Sequence, residues 1–233
     1  ILAGFYAAAQ AAPDALSAIG LAMPTPPLPM LPAEAHGKIA FFAMLAYAGT
    51  PADAAVALAP FRALATPLAD LIRPAPYSSL FFPEDPAQRL AVSTSARFVD
   101  QLDTTLARRM LHALEHTDAP MKMLQIRVLG GAAARVPAEA TAYAHRQANA
   151  LVAFLSLYPP HPDEMARQNR WAADAIAAIA PAGSGAYVNF VGDEGAAGLA
   201  AAYPPATLTR LRAIKRRYDP DNLFRRNQNI APA

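Results

Sequence analysis

The sequence contains no cysteine. That absence excludes a disulfide framework, a thiolate zinc site, an iron–sulfur cluster and a cysteine nucleophile within this chain. Charged residues make up only 16% of the 233 residues, too few for a disordered chain, and the 54% that are hydrophobic are ample for a packed core. The net charge of +2 does not provide the strong basic surface that nucleic-acid binding requires. We therefore expect about one globular domain and no nucleic-acid partner.

Long hydrophobic runs are also missing. No apolar run approaches the roughly 18 residues that a membrane span needs. The densest run, 39–48, predicts a buried strand. The chain starts at Ile1 without a basic segment before its apolar opening, so we expect a chain trimmed upstream, a cytoplasmic location and no membrane partner.

Hydrophobic periodicity and turn residues predict both helices and strands. The clearest amphipathic helix is 97–117, whose apolar residues recur every three or four positions. Its stripe consists of Val99, Leu102, Leu106, Met110 and Ala113. Helices are also predicted at 1–12, 51–65, 163–180 and 207–218, and strands at 16–23, 39–48, 121–129, 143–158 and 186–191. Because strands and helices do not alternate regularly, the pattern predicts an α+β fold with a mainly antiparallel sheet and helices packed on one face.

One short motif has the spacing of a zinc peptidase. His112, Glu115 and His116 match H-x-x-E-H, which places both imidazoles on one helix face. Arg109 lies one turn earlier and would repel a dication, and no obvious third ligand follows. We interpret the motif as a solvated helix flank and expect no metal.

The segment 185–193 is the most informative part of the chain. In a strand, Tyr187 and Asn189 would share one side, and Val188 and Phe190 would lie on the other. The polar ends of Tyr187 and Asn189 need partners when they are buried. The pattern alone leaves two interpretations open, a functional site and an ordinary edge tyrosine.

The same segment carries a family resemblance. Tyr187-Val188-Asn189-Phe190, followed by Asp193, resembles the Y-x-N-Y/F-x-D motif of the berberine bridge enzyme-like FAD-linked oxidases, within the vanillyl-alcohol oxidase flavoprotein superfamily. The resemblance continues through 209–224 and 226–230. Upstream, Gly130-Gly131 and 143–146 resemble the glycine pair and the F-x-H-R strand entry of that family. The resemblance runs over most of the chain, and its C-terminal third is the most specific part.

The resemblance implies a fragment of a two-domain flavoprotein. Residues 1–200 would form the substrate-binding domain, and 201–233 a C-terminal helix and tail that pack toward an N-terminal FAD-binding domain of the same polypeptide. That FAD-binding domain is not in this chain. The implied reaction is hydride transfer from a small organic alcohol or amine to FAD, and we expect the fragment to be inactive by itself.

The resemblance also assigns roles to individual residues. It implies that Tyr187 is the catalytic base, and that Asn189, Asn227 and Asn229 lie close to the flavin. A tyrosine can act as a base only if its pKa, ordinarily near 10, is lowered by a cation or by hydrogen bonds.

The substrate side of the implied site departs from the family pattern. In several members, the strand after His145 and Arg146 carries polar catalytic groups. Here Val152 and Phe154 occupy the expected inward positions. We predict that they bind substrate together with Tyr77, and that the substrate is apolar or makes few polar contacts.

Two other functions compete with this interpretation. The first alternative is a non-catalytic module of the same fold that binds an apolar ligand. The second is a nucleic-acid-binding domain that uses the basic helix 207–218. A yellow full-length protein would support the flavoenzyme, a colourless one the ligand-binding module, and salt-dependent DNA binding the last alternative.

Overall fold

A five-stranded antiparallel sheet forms the centre of the protein. The computed structural model describes residues 1–81, 89–119, 121–181, 183–192 and 194–233. The strands are β1 (Leu16–Pro24), β2 (Ile39–Tyr47), β3 (Ala91–Val99), β4 (Met121–Val128) and β5 (Ala150–Tyr158), in the spatial order β2-β1-β4-β5-β3. The helices are α1 (Leu2–Gln10), α2 (Pro51–Arg62), α3 (Thr104–Glu115), α4 (Gly131–Ala134), α5 (Pro162–Ala177), α6 (Gly195–Ala202) and α7 (Pro205–Tyr218). The predicted α+β class and antiparallel sheet are confirmed.

Helices α1, α3 and α5 pack on one face of the sheet, here called the helix-covered face. Alternate residues of the central strands supply the core on this side, because successive side chains of a strand point to opposite faces. Leu124 and Ile126 of β4 and Val152 and Phe154 of β5 are at most 1% exposed. Phe154 packs edge-on against Trp171 of α5, with ring centroids 5.9 Å apart. Burial of each such side chain stabilises the fold by about 1.5–3 kcal/mol.

The predicted helix 97–117 begins too early. Residues 97–99 belong to β3, a strand that the sequence analysis missed. Helix α3 begins at Thr104, because the Asp103 side chain caps it by accepting a hydrogen bond from the Leu106 N–H at 2.7 Å. The predicted stripe still packs in the core: Val99, Leu102 and Met110 are buried, and Leu106 and Ala113 are half-buried.

Three predicted strands need correction. β2 forms where a buried strand was predicted, but its residues are half-buried or exposed because it is the edge strand of the sheet. β5 begins at Ala150, and residues 143–149 form a loop. Residues 186–191 are not a strand, since Val188–Phe190 forms a 3-10 turn. Helix α6 follows this turn and was not predicted.

Helices α1, α2, α5 and α7 form where helices were predicted, whereas the short helix α4 was not predicted. Thr50 caps α2 by accepting a hydrogen bond from the Asp53 N–H at 3.2 Å, and Pro51 occupies the first helical position. Within the described residues, no helix is long and apolar enough to cross a membrane.

Candidate active site on the open face of the sheet

The second face of the sheet is contacted by a loop and a 3-10 turn instead of by α1, α3 and α5. We call it the open face. Its core is formed by Ala96 and Phe98 of β3 with Leu151 and Ala153 of β5. The strand register places Arg127 beside Leu151, and Gln125 beside Ala153. Tyr143, Tyr187 and Phe190 pack against this surface from outside the sheet. The open face therefore brings the 187–190 segment together with two polar side chains of β4.

Tyr187 and Asn189 form a hydrogen-bonded pair. The Asn189 Nδ2 donates to the Tyr187 hydroxyl at 2.9 Å. The 3-10 turn makes this contact possible, because the Phe190 N–H donates to the Tyr187 carbonyl at 2.8 Å and folds the chain back. The predicted grouping of Tyr187 with Asn189 is therefore seen, although the predicted strand is not. The last motif residue, Asp193, lies outside the described residues.

Two other tyrosines lie near Tyr187. The Tyr143 ring lies perpendicular to it, with centroids 5.8 Å apart. Burial raises the pKa of Tyr143, and the Arg146 guanidinium, 4.9 Å from the Tyr143 ring, partly opposes this shift. Burial also raises the pKa of Tyr203, and the charge of Tyr187 acts in the same direction. Tyr143 and Tyr203 therefore stay protonated at neutral pH and can serve as hydrogen-bond donors.

Arg127 is the cation of this face. It is half-buried, and its guanidinium carbon lies 5.0 Å from the centre of the Phe190 ring. Its Nε donates to the Gln125 Oε1 at 2.8 Å. Burial lowers the pKa of Arg127, whereas the charge of Tyr187 raises it. An arginine stacked on an aromatic ring and held by an amide keeps one orientation.

His145 fixes the segment that carries Tyr187. Its ring packs 4.8 Å from the Phe98 ring, and its Nε2 lies 3.1 Å from the carbonyl oxygens of both Ala201 and Ala202. Since carbonyl oxygens only accept hydrogen bonds, this nitrogen carries a hydrogen. Gly185 packs so closely on the imidazole that any Cβ there would collide with it. The Phe98 N–H also donates to the Gly185 carbonyl at 2.9 Å, which joins the segment to β3.

The C-terminal tail reaches the same segment through Gln228. Its Nε2 donates to the carbonyls of Val191 at 3.0 Å and Gly192 at 2.8 Å. Asn227 is exposed and has a left-handed backbone with φ of 56°. The Asn229 Oδ1 is buried and has no partner among the described residues. The sequence analysis named Asn227 and Asn229 but missed the glutamine between them.

The predicted substrate-binding residues lie elsewhere. Val152 and Phe154 belong to the helix-covered core and are fully buried there. As a correction, we exclude Val152 and Phe154 from the candidate site. Their side chains point to the helix-covered face of β5, whereas Tyr187 packs on the opposite face. Tyr77 is 74% exposed in a 3-10 turn between α2 and β3, and its ring packs edge-on against Phe81.

The histidine pair of α3 does not form part of a metal cluster in the described structure. The rings of His112 and His116 stack 3.9 Å apart at exposed positions. The described residues contain no group of three or more metal-ligating side chains.

Gln125 and Arg127 are candidate site residues that the sequence analysis missed. Both are polar residues at alternating positions of an otherwise apolar strand. This period-two pattern was the available signal, since it places both side chains on one face. Nothing in the local sequence indicates that this face meets the 187–190 turn.

Comparisons with known proteins agree with this description. A family model described as "Berberine and berberine like" matches residues 186–231, which include Tyr187, Asn189 and the C-terminal tail. An uncharacterized FAD-linked oxidoreductase of Bacillus subtilis (strain 168), YgaK, is 27% identical over 179 residues, which cover 75% of this chain and 39% of that protein.

Solved structures share the fold over the whole chain. A BBE-like protein (number 28) of Arabidopsis thaliana superposes with a TM-score of 0.73 at 17% identity, covering 100% of this chain and 53% of that one. A glycopeptide hexose oxidase solved with teicoplanin gives a TM-score of 0.74 at 19% identity, covering 99% of this chain and 51% of that one. The chain thus spans about half the length of these structures. The resemblance predicted from the sequence is confirmed as a similarity: residues 186–231 match the family model, and the fold of the chain is that of about half of the solved BBE-like structures.

Proposed function

We propose that the chain is the substrate-binding half of an FAD-dependent oxidoreductase that removes a hydride from a small organic alcohol or amine. The hydrogen-bonded pair of Tyr187 and Asn189 carries this proposal, because it lies on the open face and within the matched segment 186–231. An FAD-binding domain of the same polypeptide would complete the enzyme. FAD supplies a two-electron acceptor that takes the hydride from a substrate carbon.

The residues of the open face fit a flavin and its substrate. Aromatic and apolar side chains with a few fixed polar groups are typical of cofactor and substrate sites. Phe190 and Tyr143 supply the aromatic surface, and Asn189 supplies an amide. The buried Asn229 Oδ1 has no partner among the described residues and so could accept a hydrogen bond from a bound group. Asn189, Asn227 and Asn229 are the proposed contacts with the cofactor.

Tyr187 is the proposed proton acceptor. When the hydride leaves the substrate carbon, the hydroxyl or amine proton transfers to the phenolate oxygen of Tyr187, which becomes a phenol, and the product is a carbonyl or imine. The Asn189 amide donates to that oxygen, which fixes its position. Tyr143, whose pKa burial raises, remains a donor on the same face.

The test is Tyr187→Phe in the two-domain protein, measured by anaerobic single-turnover reduction of the flavin. Loss of a general base lowers the rate by about 10²–10⁴-fold. Val188→Ala is the matched control, because Val188 packs against Ala186, Val191 and Ala202 instead of the open face. It should lower the stability by about 1 kcal/mol and leave the rate per folded molecule nearly unchanged.

Two outcomes would redirect the proposal. A Tyr187→Phe protein whose flavin is reduced within about threefold of the wild-type rate would remove Tyr187 from the base role. The base would then be sought at Tyr77 or in the FAD-binding domain. A purified two-domain protein without a flavin spectrum would instead favour the non-catalytic ligand-binding module.

A further inference from the structure

We propose that Arg127 binds a carboxylate of the substrate, so that the enzyme acts on an organic acid. This inference rests on the proposed function, since it places the acid beside Tyr187. It concerns binding, however, and can be tested apart from catalysis.

Among the described residues, no carboxylate lies beside Arg127 to neutralise it. The strand register puts Ile19 of β1 on one side and Leu151 of β5 on the other. Phe190 covers its guanidinium, and the titratable group that faces it is the phenol of Tyr187.

Arg97 of β3 shows the contrast within the same sheet. It is also half-buried, but its Nη2 lies 2.6 Å from the Glu194 Oε2 in an ion pair. Removing a guanidinium from water without an anion is unfavourable, and a buried charge is normally paired. The fold satisfies this rule at Arg97 with its own glutamate. At Arg127 an external anion is the partner that would satisfy it.

The free part of the Arg127 guanidinium fits a carboxylate. Its Nε already donates a hydrogen bond to Gln125, and one face of the guanidinium plane lies over the Phe190 ring. The two terminal nitrogens have no hydrogen-bond partner among the described residues. Two parallel N–H groups on a planar fork match the two oxygens of a carboxylate, and the pair is stronger than a neutral hydrogen bond.

This placement changes the substrate class expected from the sequence. The apolar substrate was inferred from Val152 and Phe154, which are core residues of the helix-covered face. The groups that share the open face with Tyr187 are a cation, an amide and aromatic rings. An acid bound at Arg127 would present its hydroxyl- or amine-bearing carbon to the same face.

The experiment uses benzoate and benzamide, which have nearly the same shape and differ in charge. Each is titrated into the two-domain protein, and binding is followed by calorimetry and by the visible spectrum of the flavin. Wild-type protein should bind benzoate more tightly than benzamide. Arg127→Gln should weaken benzoate binding about 10- to 100-fold, because a hydrogen bond to a charged group is lost, and leave benzamide within about twofold.

Gln125→Glu provides a second variant that keeps Arg127. The new carboxylate would stand where the Gln125 Oε1 lies, 2.8 Å from the Arg127 Nε, and would neutralise the guanidinium internally. The side chain keeps its size, so we expect the protein to fold. Benzoate affinity should fall as in Arg127→Gln, again with little change for benzamide.

Several results would overturn the proposal. One is wild-type protein that does not prefer benzoate to benzamide, and another is an unchanged preference in both variants. A shifted flavin reduction potential in Arg127→Gln, with an unchanged benzoate-to-benzamide ratio, would assign Arg127 to the cofactor instead. Because calorimetry reads binding without turnover, a failure of Tyr187 as base would leave this test intact.

Discussion

The two faces of β5 differ although they belong to the same nine residues. Val152 and Phe154 pack under α5 in the main core, whereas Leu151 and Ala153 pack under Tyr143, Tyr187 and Phe190. Consecutive residues therefore serve different purposes, because strand geometry sends them to opposite sides. The helix-covered face stabilises the fold, and the open face carries the groups available for chemistry.

Both faces carry polar groups, and some buried polar atoms of the helix-covered side, the Ser156 Oγ and the Gln168 Oε1, have no partner among the described residues. On the helix-covered side, Ser93 donates to the Asn169 Oδ1 at 2.6 Å and forms a 2.7 Å hydrogen bond with the Tyr158 hydroxyl. Its polar atoms are thus paired within the protein, as buried polar atoms usually are. On the open face, the terminal nitrogens of Arg127 have no partner in the described part of the chain, and Asn189 is exposed. Unpaired polar groups at a half-buried surface are available to a ligand.

The largest expected effect on stability tests the difference between the two faces of β5. Phe154→Ala removes a fully buried ring from the helix-covered core and should lower the free energy of unfolding by about 3–5 kcal/mol. Leu155→Ala, the next residue on the half-buried open face, should lower it by about 1 kcal/mol. Urea unfolding followed by circular dichroism measures both. Equal losses at 154 and 155 would contradict the assignment of the two faces.

Much of the fold could be predicted because periodicity is a local property. α5 and α7 were found from their apolar spacing, and β1 and β4 from short apolar runs. β3 was missed because its middle, Ser93-Thr94-Ser95, resembles a loop in composition. Those serines are buried, and the hydrogen bonds that Ser93 makes come from residues distant in sequence.

The site was predicted only in its local part. The motif identified Tyr187 and Asn189, since both lie in one short segment. It did not identify Arg127 or Gln125, because their meeting with that segment depends on the order of strands in the sheet. The sequence analysis also assigned Val152 and Phe154 to the wrong face of β5. An alternating pattern shows which residues share a face, but it does not show which face is covered by helices.

A smaller effect tests how firmly the open face holds Tyr187. Gly185→Ala would drive a Cβ into the His145 imidazole and should lower the free energy of unfolding by about 1–3 kcal/mol. Tyr187 lies two residues further on, so flavin reduction in the two-domain protein should also slow. Ser184→Ala, at the adjacent half-buried position, should change stability by less than about 0.5 kcal/mol. An unchanged melting temperature in Gly185→Ala would show that the His145 contact does not fix the segment.

The smallest expected effect concerns the tail that brings Gln228 to the segment after Tyr187. Asp219 ends α7 and accepts hydrogen bonds from the N–H groups of Leu223 at 2.7 Å and Phe224 at 3.0 Å. Its carboxylate also pairs with the Lys215 ammonium, and the Asp219 side chain is only 11% exposed. These bonds, that of Lys215 above all, hold the pKa of Asp219 below its usual value.

Because the pKa of Asp219 is lowered by folding, its contribution to stability is fully present above about pH 3.9 and is lost as the pH falls through the lower folded value. Amide exchange of Leu223 and Phe224, corrected for the intrinsic rate, should therefore be constant from neutral pH to about pH 5 and become severalfold faster in more acidic solution. Asp219→Asn should exchange fast at every pH, because the amide keeps neither the charge nor both acceptors. Asp221→Asn, at an exposed neighbouring position, should behave like wild type. If both amides exchange as slowly in Asp219→Asn as in wild type at neutral pH, the Asp219 carboxylate does not hold the tail. The tail would then be held by the hydrogen bonds from Gln228 to the carbonyls of Val191 and Gly192.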